Sequence, residues 1–176
     1  MEVWADNKVI YDGKVVRLRV GDVVLDNGRR ALREVVEHPG GVCIIPFTGD
    51  SVILVRQFRI AVGDYVIEAP AGKMEGGENP VHRAACELEE ETGYRAGALI
   101  PVGGVYSSVG YCSEKIHLFL AHDLEKTQQQ LDDDERIDLV EMSLSEVREK
   151  LRAGIFDDAK TVVGLYALLE YLDARP

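Results

Sequence analysis

Residues 71–94 read AGKMEGGENPVHRAACELEEETGY, and the reading of the whole chain turns on them. The stretch opens as a glycine-rich loop, passes Asn79-Pro80 and continues as helix up to Thr92, with Gly93 to stop it. Asn is a good N-cap, Pro is tolerated at the first helical position, and Gly suits the left-handed residue past the end. On a helical wheel Val81, Ala84, Ala85, Leu88 and Thr92 fall on one side. Glu87, Glu90 and Glu91 crowd an arc of about 100° on another. Three carboxylates so close repel one another by a few tenths of a kcal/mol per pair, so the isolated helix gains nothing from them. A divalent cation would turn the repulsion into attraction, and hard ions such as Mg²⁺ take oxygen ligands while keeping room for water and phosphate.

The spacing of these residues resembles the Nudix box: Gly, five residues, Glu, seven residues, then Arg-Glu-apolar-any-Glu-Glu-any-Gly-apolar. Gly72, Glu78, Glu87, Leu88, Glu90, Glu91 and Gly93 fall on that pattern, with Tyr94 as its last position. Cys86 stands where the pattern has Arg. The resemblance implies an α/β fold of the α+β type, a mixed β-sheet sandwiched by helices with an N-terminal antiparallel strand extension. It implies Glu87 and Glu91 as metal ligands, Glu90 sharing in that work, and the Ala71 carbonyl as a backbone ligand. Glu78 is expected to orient the helix or its ligands. Gly72 is expected because a Cβ there would block close approach of metal and diphosphate to the chain. Arg83, one turn before Glu87, is expected to take over the pairing lost with the box arginine. A Cys86 nucleophile is disfavoured, since no His follows at a recognisable spacing.

Composition agrees with this chemistry. The chain has 176 residues, 46% of them hydrophobic, enough for one domain with a proper core. Its net charge of −11 argues against nucleic-acid backbone binding and calls for metal ions to mediate contact with phosphate. Cys43, Cys86 and Cys112 are an odd, widely spaced set that reads as free thiols in a reducing compartment. No apolar run approaches the ~20 residues of a membrane span and the first residues lack a signal-peptide core, so a cytoplasmic location is expected.

Before the box, alternating residues and the turn pairs Asp12-Gly13 and Asn27-Gly28 predict antiparallel strands near 7–11, 15–25 and 30–37. GVCIIPF (41–47) and SVILVRQF (51–58) are nearly continuous apolar runs, which suits a sheet covered on both faces. YVIEAP (65–70) leads into the box as a short strand. After it, 99–108, 114–124 and 136–144 read as strands, and 143–154 and 157–174 as helices. Residues 1–40 are similar to the extra segment of ADP-ribose pyrophosphatase-like members, which builds a dimer and part of the substrate pocket; 41–176 would be the hydrolase domain.

The same resemblance supplies the remaining candidates. In the acidic run Asp132-Asp133-Asp134-Glu135, otherwise a solvated loop, Glu135 aligns with a metal-contacting glutamate and Asp133 is a candidate base. VRQFR (55–59) makes Arg59 a candidate contact to the diphosphate or terminal ribose; the alternative is an exposed strand-end arginine. Arg33 is a candidate for the base pocket across a dimer. Glu68 matches an acidic position near the metals, or else a structural ion pair. Gly110, Tyr111 and Glu114 fit a segment that reads Ser-Pro-Gly-aromatic in ADP-ribose-specific relatives, but Val109 replaces the proline. His117, in an apolar strand, is expected to be a core residue. The implied activity is Mg²⁺-dependent hydrolysis of ADP-ribose or a similar nucleoside diphosphate sugar by a homodimer, with Mn²⁺ as a substitute ion. GDP-mannose hydrolysis and a catalytically silent nucleotide-sugar sensor are the alternatives.

Overall fold

Asp12-Gly13 and Asn27-Gly28 close two successive hairpins, joining β1 (Val3–Asp12), β2 (Arg17–Val24) and β3 (Arg30–Glu37) into one antiparallel sheet. The Gly13 N–H donates to Val16 O at 3.0 Å, and Gly28 takes a φ of +78° that a side chain would strain. The computed structural model describes residues 1–133 and 135–174; Asp134 of the acidic run lies outside them. Strand β1 begins at Val3, earlier than its alternation predicts. The β1–β2 register slips between Trp4 and Asp6 and again between Val9 and Tyr11. Each slip flips the side-chain phase and hides the strand from a period-two reading.

This sheet belongs to a compact unit of Met1–Gly40 with Tyr106–Lys115. The 106–115 segment is strapped to β3: the Val36 N–H donates to Tyr111 O at 2.7 Å, and the Ser113 N–H to Val36 O at 2.9 Å.

A second unit comprises Gly41–Val105 with Ile116–Pro176. Its strands are β4 (Gly41–Pro46), β5 (Ser51–Arg59), β6 (Asp64–Glu68), β7 (Ala71–Lys73), β8 (Tyr94–Tyr106), β9 (Lys115–Lys126) and β10 (Ile137–Ser143). Its helices are α1 (Pro80–Thr92), α2 (Leu144–Arg152) and α3 (Ala159–Asp173). The strands form a four-stranded sheet, β7-β4-β9-β8, and a three-stranded one, β10-β5-β6. β4 runs parallel to β9 and antiparallel to β7, so the larger sheet is mixed.

Every residue of β4 is buried, and its two faces enter different cores. Val42 and Ile44 pack with Ala84 and Leu88 of α1; Cys43 and Ile45 pack with Val147, Leu165 and Leu168 of α2 and α3. A continuous apolar strand with helices on both sides follows from that alternation. Full burial of a Leu or Ile contributes about 1.5–3 kcal/mol, so these layers are the main support of the sandwich. Gly164 brings α3 close: a Cβ there would meet Ile45 Cδ1 at 2.7 Å.

Three local expectations are corrected. The short strand after β5 ends at Glu68, and a separate three-residue strand, β7, pairs with β4 within the glycine-rich loop. β8 starts at Tyr94, immediately after the Gly93 cap, rather than at 99. His117 is only half-buried in β9, between the buried Ile116 and Leu118, so it is not a core residue.

Candidate active site

The caps of α1 are those its sequence calls for. Asn79 Oδ1 accepts from the Val81 N–H at 2.9 Å, Pro80 opens the helix, and Gly93 closes it at φ 67° with its N–H on Glu89 O. The buried side of α1 carries Ala84, Glu87, Leu88, Glu91 and Thr92, whereas Val81 and Ala85 lie exposed. The helix is therefore rotated from its apolar side toward its carboxylates. Leu88 and Ala84 still reach the core, and the rotation turns Glu87 and Glu91 onto the β7 backbone.

That backbone is built to receive them. The Ala71 N–H donates to Glu91 Oε2 at 3.0 Å. A Cβ on Gly72 would fall 1.4 Å from Glu87 Oε1. The need for glycine is thus more direct than expected from the sequence: the Glu87 carboxylate itself occupies the space a side chain would fill. Glu78 accepts from the Glu75 N–H at 3.2 Å and lies 3.8 Å from His82, so it braces the loop leading into the helix.

The charges are poorly compensated. Burial raises the Glu87 pKa, and the Arg83 guanidinium offsets this only in part. Burial, then the Glu87 charge, pushes Glu91 up to about 8 against the pull of the Ala71 N–H; Glu135 adds to the repulsion on both. Arg83 donates to Glu87 and stands 3.7 Å from Glu90. The expected partner of the first glutamate is therefore in contact with it. Burial works against the Arg83 charge, but Glu87 outweighs it and the pKa rises. Cys86 lies 4.0 Å from the His82 ring nitrogens, and burial raises its thiol pKa, the reverse of an activated nucleophile.

Among the described residues no three His, Cys, Asp or Glu side chains converge into a ready-made metal cage. The donor set still fits a hard divalent cation. It is all oxygen, it carries excess negative charge, and burial makes two of its members, Glu87 and Glu91, resist ionisation, Glu87 in spite of its bond from Arg83. Glu87, Glu90, Glu91 and the Ala71 carbonyl would hold the ion, which supplies charge neutralisation at a diphosphate.

Glu135 sits half-buried in the loop before β10, and Asp133 is exposed there. The Arg136 guanidinium donates to both their carbonyls, at 3.2 Å for Asp133 and 2.5 Å for Glu135. Tyr65, Asp133, Glu135 and Arg136 border an open cleft of about 620 Å³.

Glu68 is buried at 2% exposure and is no open substrate ligand. Arg59 grips it with Nε and Nη2 at 2.7 and 3.0 Å, and Lys160 Nζ reaches it at 2.6 Å. Lys160, Asp158 and Thr161 escaped the reading of the sequence, where DDAKT passes as an ordinary helix start; the one signal was Asp158 as N-cap. Arg33, Gly110, Tyr111 and Glu114 all belong to the N-terminal unit. There Arg33 pairs with Glu2 at 2.5 Å, Tyr111 is exposed, and Glu114 lies 3.5 Å from His38 Nδ1.

Comparison with known proteins gives a consistent result. The chain is 40% identical over 162 residues to an ADP-ribose pyrophosphatase of Bacillus subtilis (strain 168), covering 90% of this chain and 88% of that protein. It is 36% identical over 175 residues to a GDP-mannose pyrophosphatase of Cronobacter sakazakii (strain ATCC BAA-894), covering 93% and 82%. Its fold superposes on a crystal structure of an ADP compounds hydrolase with a TM-score of 0.86 at 24% identity, covering 98% of this chain and 94% of that one. The NUDIX domain profile matches residues 37–162, a span that holds the glycine-rich loop, the carboxylate helix and the Glu135 loop, and the chain belongs to the NUDIX family.

Proposed function

We propose that the protein hydrolyses the pyrophosphate bond of ADP-ribose or a related nucleoside diphosphate sugar, releasing a nucleoside monophosphate and a sugar phosphate. The observation that carries this reading is the burial of Glu87 and Glu91 on one turn of α1, facing the Ala71–Gly72 backbone with too little positive charge around them. A diphosphate and its cations are the partners that would settle such a site. Mg²⁺ is the proposed ion, with Mn²⁺ as a substitute. The chain's own residues bind and orient: Glu87, Glu90 and Glu91 fix the cations, Arg59 meets a phosphate or ribose, and Glu135 closes from its loop with Asp133 as candidate base.

Residues 1–40 are proposed to contribute the homodimer contact and part of the substrate pocket, with Arg33, Gly110, Tyr111 and Glu114 on the nucleoside side. A cytoplasmic location is proposed from the free cysteines; among the described residues no helix is long and apolar enough to cross a membrane. A second reading, GDP-mannose as the preferred substrate, is favoured by the similarity to the Cronobacter sakazakii protein and by Val109 at the proline position.

A panel of nucleoside diphosphate sugars with Mg²⁺, assayed by phosphate release after phosphatase coupling, tests both. Turnover of ADP-ribose above the others supports the first, and preference for GDP-mannose the second. Tight binding without product from any sugar would overturn both in favour of a silent sensor.

A further inference from the structure

Beside the carboxylate helix lies a second cluster of charges, in which two acids and two bases alternate: Arg59, Glu68, Lys160 and Asp158. Lys160 Nζ donates to Glu68 Oε2 at 2.6 Å and to Asp158 Oδ2 at 3.0 Å. Asp158 in turn caps α3, accepting from the Thr161 N–H at 3.0 Å and from its hydroxyl at 2.5 Å. Thr161 Oγ1 accepts from the Ala69 N–H at 2.7 Å. The first turn of α3 is therefore stitched to the chain just ahead of Ala71 at two points, one ionic and one through a backbone N–H.

The exposures of the four differ in a telling way. The side chain of Glu68 is 3% exposed, that of Lys160 14% and that of Arg59 42%. A carboxylate so buried is stable only when its oxygens are fully bonded. Arg59 engages it through Nε and Nη2, which turns the Nη1 edge of the guanidinium away from Glu68. Glu68 lies only a few residues ahead of Ala71, whose N–H donates to Glu91 Oε2 at 3.0 Å, so the acid that Arg59 grips leads directly into the backbone that receives the proposed metal ligands.

We propose that Lys160 is a positioning residue for Arg59. By bonding Glu68 Oε2 from the α3 side, it holds the carboxylate in the one orientation that offers both oxygens to the arginine fork. Arg59 is then fixed with its outer edge toward the diphosphate, and its charge is not fully spent on Glu68, because Lys160 shares that carboxylate. Without Lys160, Asp158 and Glu68 face each other across an empty site, and the arginine must follow whichever rotamer Glu68 takes. This rests on the proposed contact between Arg59 and the diphosphate.

The test is a double-mutant cycle on the full chain with ADP-ribose and Mg²⁺: K160M, R59A and both together, with K160R as the conservative variant. Loss of a charge-assisted bond that orients a substrate contact is expected to raise KM about tenfold in K160M. The kcat is expected to stay within about threefold, since the metal glutamates are intact. K160R should recover most of the loss, and the double variant should be no worse than R59A alone. If K160M does not fold, K160Q, which is polar but uncharged and too short to keep the charge-assisted bond to Glu68, is the second variant and should show the same rise in KM. Effects of K160M and R59A that multiply would overturn the proposal, as would a fall in kcat at constant KM. If R59A raises KM and neither Lys160 variant does, positioning alone fails. If R59A leaves KM unchanged, the Arg59 contact itself is wrong and the proposal falls with it.

Discussion

Arg83 donates a hydrogen bond to the carboxylate of Glu87, one helical turn ahead, and stands 3.7 Å from Glu90. The residue that precedes Glu87 in this chain, Cys86, carries no charge to do so. The guanidinium thus comes from the neighbouring turn of the same helix face, where i and i+4 side chains meet. Its role can be measured. Arg83→Ala leaves Glu87 buried and without its cation, and the expected fall in kcat is about 10–100-fold, the worth of one charge-assisted bond. Steady-state rates across a Mg²⁺ titration check this; an unchanged rate with unchanged metal dependence would show that Arg83 is a bystander.

Gly72→Ala is the smallest change that disturbs the site. The added methyl would lie 1.4 Å from Glu87 Oε1 and 1.8 Å from Cδ, so the carboxylate must leave its place. The strand itself tolerates alanine, so the cost to the fold is on the order of 1–3 kcal/mol, while turnover should fall by about 100-fold as a metal ligand is displaced. Circular dichroism with activity separates the two. A fully active G72A would mean that Glu87 does not work from the position it holds here.

The parts of this arrangement visible in the sequence are those set by local chemistry. Asn79, Pro80 and Gly93 bound the helix because capping depends on one or two residues, and β4 announces itself because both its faces are apolar. The orientation of α1 was not visible. A wheel that counts hydrophobicity puts Val81 and Ala85 inward, but the helix packs where Gly72 leaves room and the Ala71 N–H needs an acceptor. Strand β7 was hidden because it is defined by its pairing with β4 and not by its own three residues. The Glu68–Lys160 pair joins residues 92 apart, and no local pattern marks a lysine that far along the chain as the partner of a buried acid.

Gly164→Val tests the opposite side of the sandwich. A Cβ at this position already meets Ile45 Cδ1 at 2.7 Å. Two further methyl groups would force α3 away from β4, at a cost of about 1–3 kcal/mol or more. The melting temperature should fall by several degrees, about 2–4 °C per kcal/mol for a chain of this size. Because α3 also carries Lys160, KM should rise with it; a melting temperature equal to that of the wild type would show the α3–β4 contact to be looser than it stands here.

The acidity of Glu91 makes the metal-free protein sensitive to pH in a particular direction. Burial, then the charge of Glu87, lifts its pKa in the fold from 4.5 to about 8. A carboxyl whose pKa rises on folding favours the folded state while protonated, so its contribution is full below pH 4.5 and is lost as the pH climbs toward 8. In EDTA, the melting temperature should therefore fall between about pH 5 and pH 8. A divalent cation replaces the proton as the neutralising partner, so the gain in melting temperature on adding Mg²⁺ should be larger at pH 8 than at pH 5. Glu91→Gln keeps the shape of the side chain and removes the titration: its melting temperature in EDTA should vary less over this range, its response to Mg²⁺ should shrink, and turnover should be abolished. Wild-type and E91Q curves that run parallel from pH 5 to pH 8 would place the pH sensitivity on another group and remove Glu91 from the centre of the site.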